Sequence, residues 1–150
     1  MRRIISILLE NEAGALSRVV GLFSQRNFNI ETLTVAPTHD PTLSRLTLTT
    51  TGDDKVIEQI TKHLNKLIDV IHAKDHTGEI VVEKELALMK VNCPAEKRTE
   101  ILQIAEHFKS QTVDLSESTL MLQVTGSTEK LDAMELTVLL PVAWVDQSYL

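Results

Sequence analysis

The feature that most constrains this chain of 150 residues is an apolar pattern that occurs twice along it. In each copy, four apolar residues have the i, i+3, i+4, i+7 spacing of one buried helix face. They are Leu16, Val19, Val20 and Phe23 in the first copy, and Ile101, Ile104, Ala105 and Phe108 in the second. The shift between the copies is 85 residues. We therefore interpret the chain as two tandem copies of one module, joined by a polar link around residues 75–79.

Predicted strands and a second helix around the first helix complete the first module. Residues 2–9 predict a buried strand, residues 29–51 a β-hairpin with the turn THDPT, and residues 68–73 a closing strand. A second helix begins near Asp53, a good N-cap residue. Its predicted apolar face consists of Val56, Ile60, Leu64 and Leu67. The order βαββαβ indicates an α+β fold of the ferredoxin-like type, with one sheet face covered by helices and the other open.

The second half of the chain follows the same plan. A strand is predicted over residues 84–91, and Pro94 opens the helix that carries the repeated apolar face. A second hairpin over residues 112–124 and a helix over residues 128–139 follow. PVAWVDQS is predicted to be the last strand.

Charge and cysteine content exclude several classes of protein. The net charge is −6 and no basic stripe is present, which argues against a nucleic-acid partner. Cys93 is the only cysteine, so neither an intrachain disulfide nor a cysteine metal motif is expected. No apolar run approaches the roughly 20 residues of a membrane helix. We expect a cytoplasmic protein that does not enter a membrane.

The junction between the first strand and the first helix is the strongest candidate for a binding site. The opening amides of a helix have no partners within the helix, and the helix dipole favours negative charge there. Gly14 lacks a Cβ, so a small anion such as an amino-acid carboxylate can approach the backbone. Asn11 adds a donor and an acceptor that could orient the ligand. The alternative is that both residues serve only the turn.

A resemblance to a known family favours the binding interpretation. The segments NEAGALSRVVGLFSQR, NIETLTVAPT and DPTLSR resemble the amino-terminal ACT module of acetohydroxyacid (acetolactate) synthase small subunits, and the likeness extends over residues 1–75. The resemblance implies a regulatory subunit that is not itself an enzyme. Such a subunit binds a larger catalytic subunit, raises its activity and confers feedback inhibition by valine. Family modules pair side by side, so the resemblance also implies a homodimer.

The same resemblance implies where valine binds. One chain would supply Asn11, Ala13, Gly14, Ala15 and Leu16, and the partner chain would supply Asn29 and Ile30. No residue of this chain is expected to be catalytic or to bind a metal. The chain is expected to hold no cofactor, because thiamine diphosphate, Mg²⁺ and FAD belong to the catalytic partner of the family.

The predicted domains are an effector-binding, dimerising ACT domain over residues 1–76 and a related ferredoxin-like domain over residues 80–150. Two departures from the family pattern stand out. Asn27 occupies a position where many relatives have glycine, and asparagine tolerates the left-handed backbone that such a turn needs. After about residue 133, the sequence MELTVLLPVAWVDQSYL is atypical of the family.

Three alternatives remain open at this point. The chain could be a free-standing ACT-type amino-acid sensor that controls another protein. His72 and His76, with Asp75 beside them, could belong to a metal-sensing domain, although solvated loop residues are the more common outcome. A small enzyme could use the open sheet face, but no nucleophile–base motif supports it. Arg18 and Arg45 are either anchors for a partner or ordinary solvated residues.

Overall fold

The computed structural model describes residues 1–139, and the chain divides between Val81 and Val82 into two compact units. Each unit has its own sheet and its own aliphatic core. The elements of the first unit are β1 (Arg2–Glu10), α1 (Ala15–Gln25), β2 (Thr32–Pro37), β3 (Leu43–Thr51), α2 (Asp54–Leu64) and β4 (Val70–Asp75). This order confirms the predicted βαββαβ arrangement. The antiparallel sheet has the strand order β2-β3-β1-β4.

Alternation along the two central strands forms the core of the first unit. Ile5, Ile7 and Leu9 of β1 are buried, and β3 places Leu46 and Leu48 on the same face. Both helices pack against this face with residues spaced three or four apart. These residues are Ala15, Val19 and Phe23 on α1, and Ile57, Ile60 and Leu64 on α2. The opposite face carries exposed Arg45 and Thr47, which confirms the prediction of one covered and one open face.

The helix predictions need small corrections. Helix α1 has 11 residues, and Leu16 and Val20 lie at the edge of its buried face. On α2 the buried face begins at Ile57, whereas the predicted Val56 packs at the periphery of the core. The predicted Leu67 lies beyond the end of the helix and is partly buried. Asp53 caps α2 as predicted, because its carboxylate accepts a hydrogen bond of 2.9 Å from the Val56 amide.

The second unit repeats the plan with three strands in the described residues. Its elements are β5 (Glu85–Asn92), a 3₁₀ turn (Ala95–Lys97), α3 (Arg98–His107), β6 (Gln111–Leu115), β7 (Thr119–Gly126) and α4 (Thr128–Leu139). The strand order is β5-β7-β6. The predicted last strand, PVAWVDQS, lies outside the described residues. The predicted hairpin and both predicted helices are confirmed.

Where α1 and α3 end, the offset between the two copies is 82 residues and not the predicted 85. Helices α1 and α3 end in the same way, with left-handed residues at Asn27 (φ 56°) and Lys109 (φ 54°). After each of them, a backbone amide returns to the carbonyl five residues earlier at 2.9 Å, from Phe28 to Phe23 and from Ser110 to Ala105. Sliding a helix by three residues keeps most of its apolar spacing, so the spacing alone could not determine the offset.

Candidate functional site

The turn between β1 and α1 is held by the neighbouring hairpin. The Asn11 amide donates to the Thr42 carbonyl at 2.8 Å, and the Asn11 side-chain nitrogen donates to the Pro41 carbonyl at 2.9 Å. The side-chain oxygen of Asn11 has no hydrogen-bond partner within the described residues. Asn11 therefore positions the turn and still has an acceptor available to a ligand.

Gly14 begins the helix in a conformation that suits glycine. Its φ of 86° lies in the left-handed region, and no side chain caps the helix there. Ala15 closes the turn by donating to the Glu12 carbonyl at 3.2 Å. In the part of the chain that the structure describes, the amides of Gly14, Leu16 and Ser17 have no acceptor. Three unpartnered donors at the positive end of a helix form a suitable place for a small anion.

Arg18 adds a full positive charge beside these amides. A Cβ built on Gly14 would lie 3.0 Å from Arg18 Nη1, so the guanidinium borders the glycine. Arg18 Nε donates to the carboxylate of Asp69, and this hydrogen bond raises the pKa of Arg18. The Asp69 carbonyl in turn accepts from the Glu10 amide at 2.8 Å. The ion pair thus ties the helix start to the connection between α2 and β4.

The Arg18–Asp69 pair is the part of the site that sequence analysis did not identify. The partners are 51 residues apart, and no local motif joins them. A weak signal is present, since Asp69 is a charged residue inside the apolar segment LIDVIHA. Burial of Asp69, which is 8% exposed, implies that a cation lies nearby.

The structure brings only part of the predicted site together within one chain. The five residues from Asn11 to Leu16 named above share the β1–α1 turn, where Ala13 and Gly14 are exposed, Leu16 is half-buried and the methyl of Ala15 is buried. Asn29 and Ile30 precede β2 at the other end of the sheet. The Asn29 carbonyl accepts from the Thr50 hydroxyl at 2.6 Å, while Ile30 packs on the core.

The separation follows from the strand register. Leu43 pairs with Glu10 at one end of β3, and Thr51 pairs with Arg2 at the other. Eight residue steps along β3 correspond to about 27 Å. A small amino acid cannot touch both groups of residues in one copy of the chain.

The two edges of the first sheet differ in how they are protected. Strand β2 forms one edge, carries no charged residue, and exposes 40% of both Leu33 and Val35. Strand β4 forms the other edge, contains Lys74, and has a register irregularity opposite Leu8 and Leu9. Charges and bulges are common means of blocking an edge, so β2, which has neither and carries a proline only at its last residue, is the less protected of the two edges.

The histidines and the cysteine do not form a metal site in the described part of the chain. His76 contacts the Ser6 hydroxyl at 2.6 Å and Glu79 at 2.8 Å, and Cys93 is buried. Among residues 1–139, no group of three or more His, Cys, Asp or Glu side chains is placed to hold a metal ion. No described helix has the length and apolar character needed to span a membrane.

The open face of the first sheet holds a shallow concavity of about 480 Å³. Arg45, His39 and three threonines contribute to its lining. In the described structure no hydrogen bond joins His39 to a hydroxyl that it could activate.

Comparisons with known proteins give a consistent result across the chain. Residues 5–72 match the model of the AHAS small subunit-like ACT domain, and residues 84–142 match that of the small subunit of acetolactate synthase. The chain is 53% identical over 133 residues to the acetolactate synthase isozyme 3 small subunit of Escherichia coli, covering 89% of this chain and 82% of that protein. It is also 53% identical to the acetolactate synthase small subunit of Buchnera aphidicola, covering 89% and 84%.

Structural comparison agrees with the sequence matches. The acetolactate synthase small subunit of Thermotoga maritima superposes with a TM-score of 0.84 at 36% identity. That alignment covers 91% of this chain and 85% of the Thermotoga chain.

Proposed function

The chain belongs to the family of acetolactate synthase small subunits, and from this premise we propose that it binds valine between two of its own copies and so inhibits a large catalytic subunit. As a member of the family it is a regulatory subunit and is not itself catalytic. The effector, the homodimer and the site residues are our proposal. We assign residues 1–76 to effector binding and dimerisation, and residues 80–150 to a second, related domain.

The observation that carries the proposal is the helix start at Gly14. Three unpartnered amides and the Arg18 guanidinium border one exposed turn. Together they can hold the carboxylate of an amino acid. The free side-chain oxygen of Asn11 can accept a hydrogen bond from the ammonium group. One zwitterion thus finds donors and an acceptor within the same turn.

Pairing through β2 would complete the site. When two β2 strands pair antiparallel about a two-fold axis, the Thr32 end of one lies beside the Pro37 end of the other. The Pro37 end leads into the turn that holds Asn11. Asn29 and Ile30, which precede Thr32, would then approach the Gly14 turn of the second copy. This arrangement removes the separation of about 27 Å along β3.

Apolar side chains at the same place suit valine. Leu16 is half-buried at the start of α1, and Ile30 is half-buried in front of β2. On pairing, these two residues from different copies would surround the isopropyl group. The side chain of Asn29 is exposed and would reach the polar end of the ligand.

Inhibition requires that valine favour one arrangement of the complex. A ligand shifts an equilibrium only by its differential affinity for the two states. We propose that the inhibited arrangement holds the dimer site closed, and the activating arrangement leaves it open. The catalytic partner would carry thiamine diphosphate, Mg²⁺ and FAD, and this chain would carry no cofactor. We place the complex in the cytoplasm, as expected for a sequence with no apolar run of the length of a membrane helix.

The test is reconstitution with the large subunit followed by titration with valine, with leucine and isoleucine in parallel. We expect the chain to raise acetolactate synthesis and valine to lower it again. Absence of both effects would refute the proposal. Calorimetric binding of valine without any effect on the large subunit would instead indicate a free-standing sensor of amino acids. Turnover by the isolated chain would indicate an enzyme.

A further inference from the structure

The outer edge of β4 is covered by one side chain from the end of α2. Asn65 directly follows α2, and its side-chain amide lies against Ala73 of β4. The Ala73 amide donates to Asn65 Oδ1 at 2.9 Å, and Asn65 Nδ2 donates to the Ala73 carbonyl at 3.1 Å. A carboxamide offers one acceptor and one donor side by side, as a peptide group in a neighbouring strand does.

The contact between Asn65 and Ala73 occupies backbone groups on the outer side of β4. Ala73 is opposite Ile7 in the register of β1 and β4, yet both of its backbone groups bond to Asn65. They therefore point away from β1, toward the side on which a further strand would add. Without Asn65, this edge would present an unpaired donor and an unpaired acceptor to another chain.

We propose that Asn65 closes the β4 edge against a second copy of this chain, so that pairing of the first sheet is confined to β2 and this sheet joins two chains and no more. The inference rests on the proposed β2 dimer, because a chain with two open edges could add copies at both. Nearby features of β4 act in the same direction. The irregularity beside Val70 and the charge of Lys74 both disfavour a regular ladder there.

The test compares the full-length wild-type chain with the Asn65→Ala variant by sedimentation over a range of concentrations. We expect the wild type to remain a dimer and the variant to form a four-chain species as its concentration rises. Gln59→Ala is the matched control, because it removes an exposed side-chain amide from α2 that makes no hydrogen bond to β4 in the described structure. It should sediment as the wild type does. An Asn65→Ala variant that stays dimeric at every concentration overturns the proposal.

A second substitution separates strand pairing from general aggregation. Ile71 is half exposed on β4, and a lysine there would place a charge on the opened edge. The double variant Asn65→Ala/Ile71→Lys should return to the wild-type mass. Persistence of the four-chain species would count against pairing through β4.

Hydrogen exchange in the wild-type chain gives a test that does not depend on the variant folding. The Ala73 amide should be protected, and the Asn65→Ala variant should exchange there about tenfold faster, as expected for loss of one hydrogen bond. Fast exchange at Ala73 in the wild type would overturn the proposal. The molecular mass of the wild-type chain in the sedimentation experiment tests the proposed β2 dimer separately. A monomeric wild type would contradict the β2 dimer, while a variant that then associates would still support the role of Asn65.

Discussion

The two units differ most where their first helices begin. In the first unit, β1 passes into α1 through an exposed turn that ends at Gly14 with unpartnered amides. In the second unit, β5 is followed by buried Cys93, by Pro94 and by a 3₁₀ turn that precedes α3. Pro94 has no amide to donate, and the Lys97 amide is already bonded to its carbonyl at 2.9 Å. The helix start is therefore a glycine turn in one unit and a 3₁₀ turn after a proline in the other.

The units agree where those helices end. Asn27 and Lys109 adopt the same left-handed conformation, and each is followed by the same return of a backbone amide into the helix. The prediction that Asn27 can replace glycine at this turn is confirmed. Helix ends and strand alternation thus maintain the shared fold, while the helix starts have diverged. The proposed effector site therefore lies at the helix start that differs between the two units.

The largest expected effect comes from Gly14→Asp. A carboxylate there would repel the carboxylate of valine, and like charges in contact cost several kcal/mol, so valine affinity should fall at least about a hundredfold. The left-handed backbone adds about 1–2 kcal/mol of strain. Valine titration of the reconstituted enzyme measures the effect. Gly14→Ala carries the strain without the charge and should retain more sensitivity than Gly14→Asp. Equal valine inhibition in Gly14→Asp and the wild type would rule out this site.

Asn29→Ala should have the next largest effect. Loss of one or two charge-assisted hydrogen bonds costs about 1–3 kcal/mol, which corresponds to roughly a 5- to 150-fold weaker valine affinity. Within the described residues the hydrogen bond of Asn29 is made by its backbone carbonyl and not by its side chain, so thermal stability should hardly change. Calorimetry with valine measures the affinity. Gln111→Ala, at the equivalent position 82 residues later in the second unit, removes an exposed amide and tests whether the effect is confined to the first unit. A similar loss in both variants would contradict that view.

The sequence predicted the elements better than the contacts between them. Alternation of Leu46 and Leu48 against polar neighbours is a local signal, and it correctly predicted strand β3. Gly14 was identified because a glycine before an apolar helix is also a local signal. The Arg18–Asp69 pair and the Asn65–Ala73 contact depend on chain segments that meet only after folding. No spacing rule in one sequence predicts such pairs.

Helix capping provides a smaller contrast between the units. Asp53 accepts from the Val56 amide at 2.9 Å, whereas Ser127, which precedes α4, accepts from Lys130 at a long 3.4 Å. Asp53→Ala should therefore lower the free energy of unfolding by about 1 kcal/mol. Ser127→Ala should cost less than half as much. Thermal unfolding followed by residue-resolved NMR measures both variants. A larger loss in Ser127→Ala would contradict the capping geometry, and neither change should alter valine affinity.

The smallest expected effect is a difference between the two hairpin turns in how their stability depends on pH. Asp40 accepts hydrogen bonds from the amide and hydroxyl of Thr42, at 2.9 and 2.7 Å, and these bonds lower the pKa of Asp40. A carboxylate whose pKa is lower in the folded state stabilises the turn above its unfolded pKa. This contribution is lost as the pH falls through the folded pKa, below the ordinary range of aspartate. In the second unit, Ser116 accepts from the Thr119 amide at 2.9 Å and does not titrate.

The NMR shift of the Thr42 amide should therefore titrate in acid while that of Thr119 stays nearly constant. Asp40→Asn is the matched control, because its side-chain oxygen can still accept from Thr42 but carries no ionisable proton. The acid transition at Thr42 should disappear in this variant. If the transition persists, another group causes it, and the difference between the two turns does not originate at Asp40.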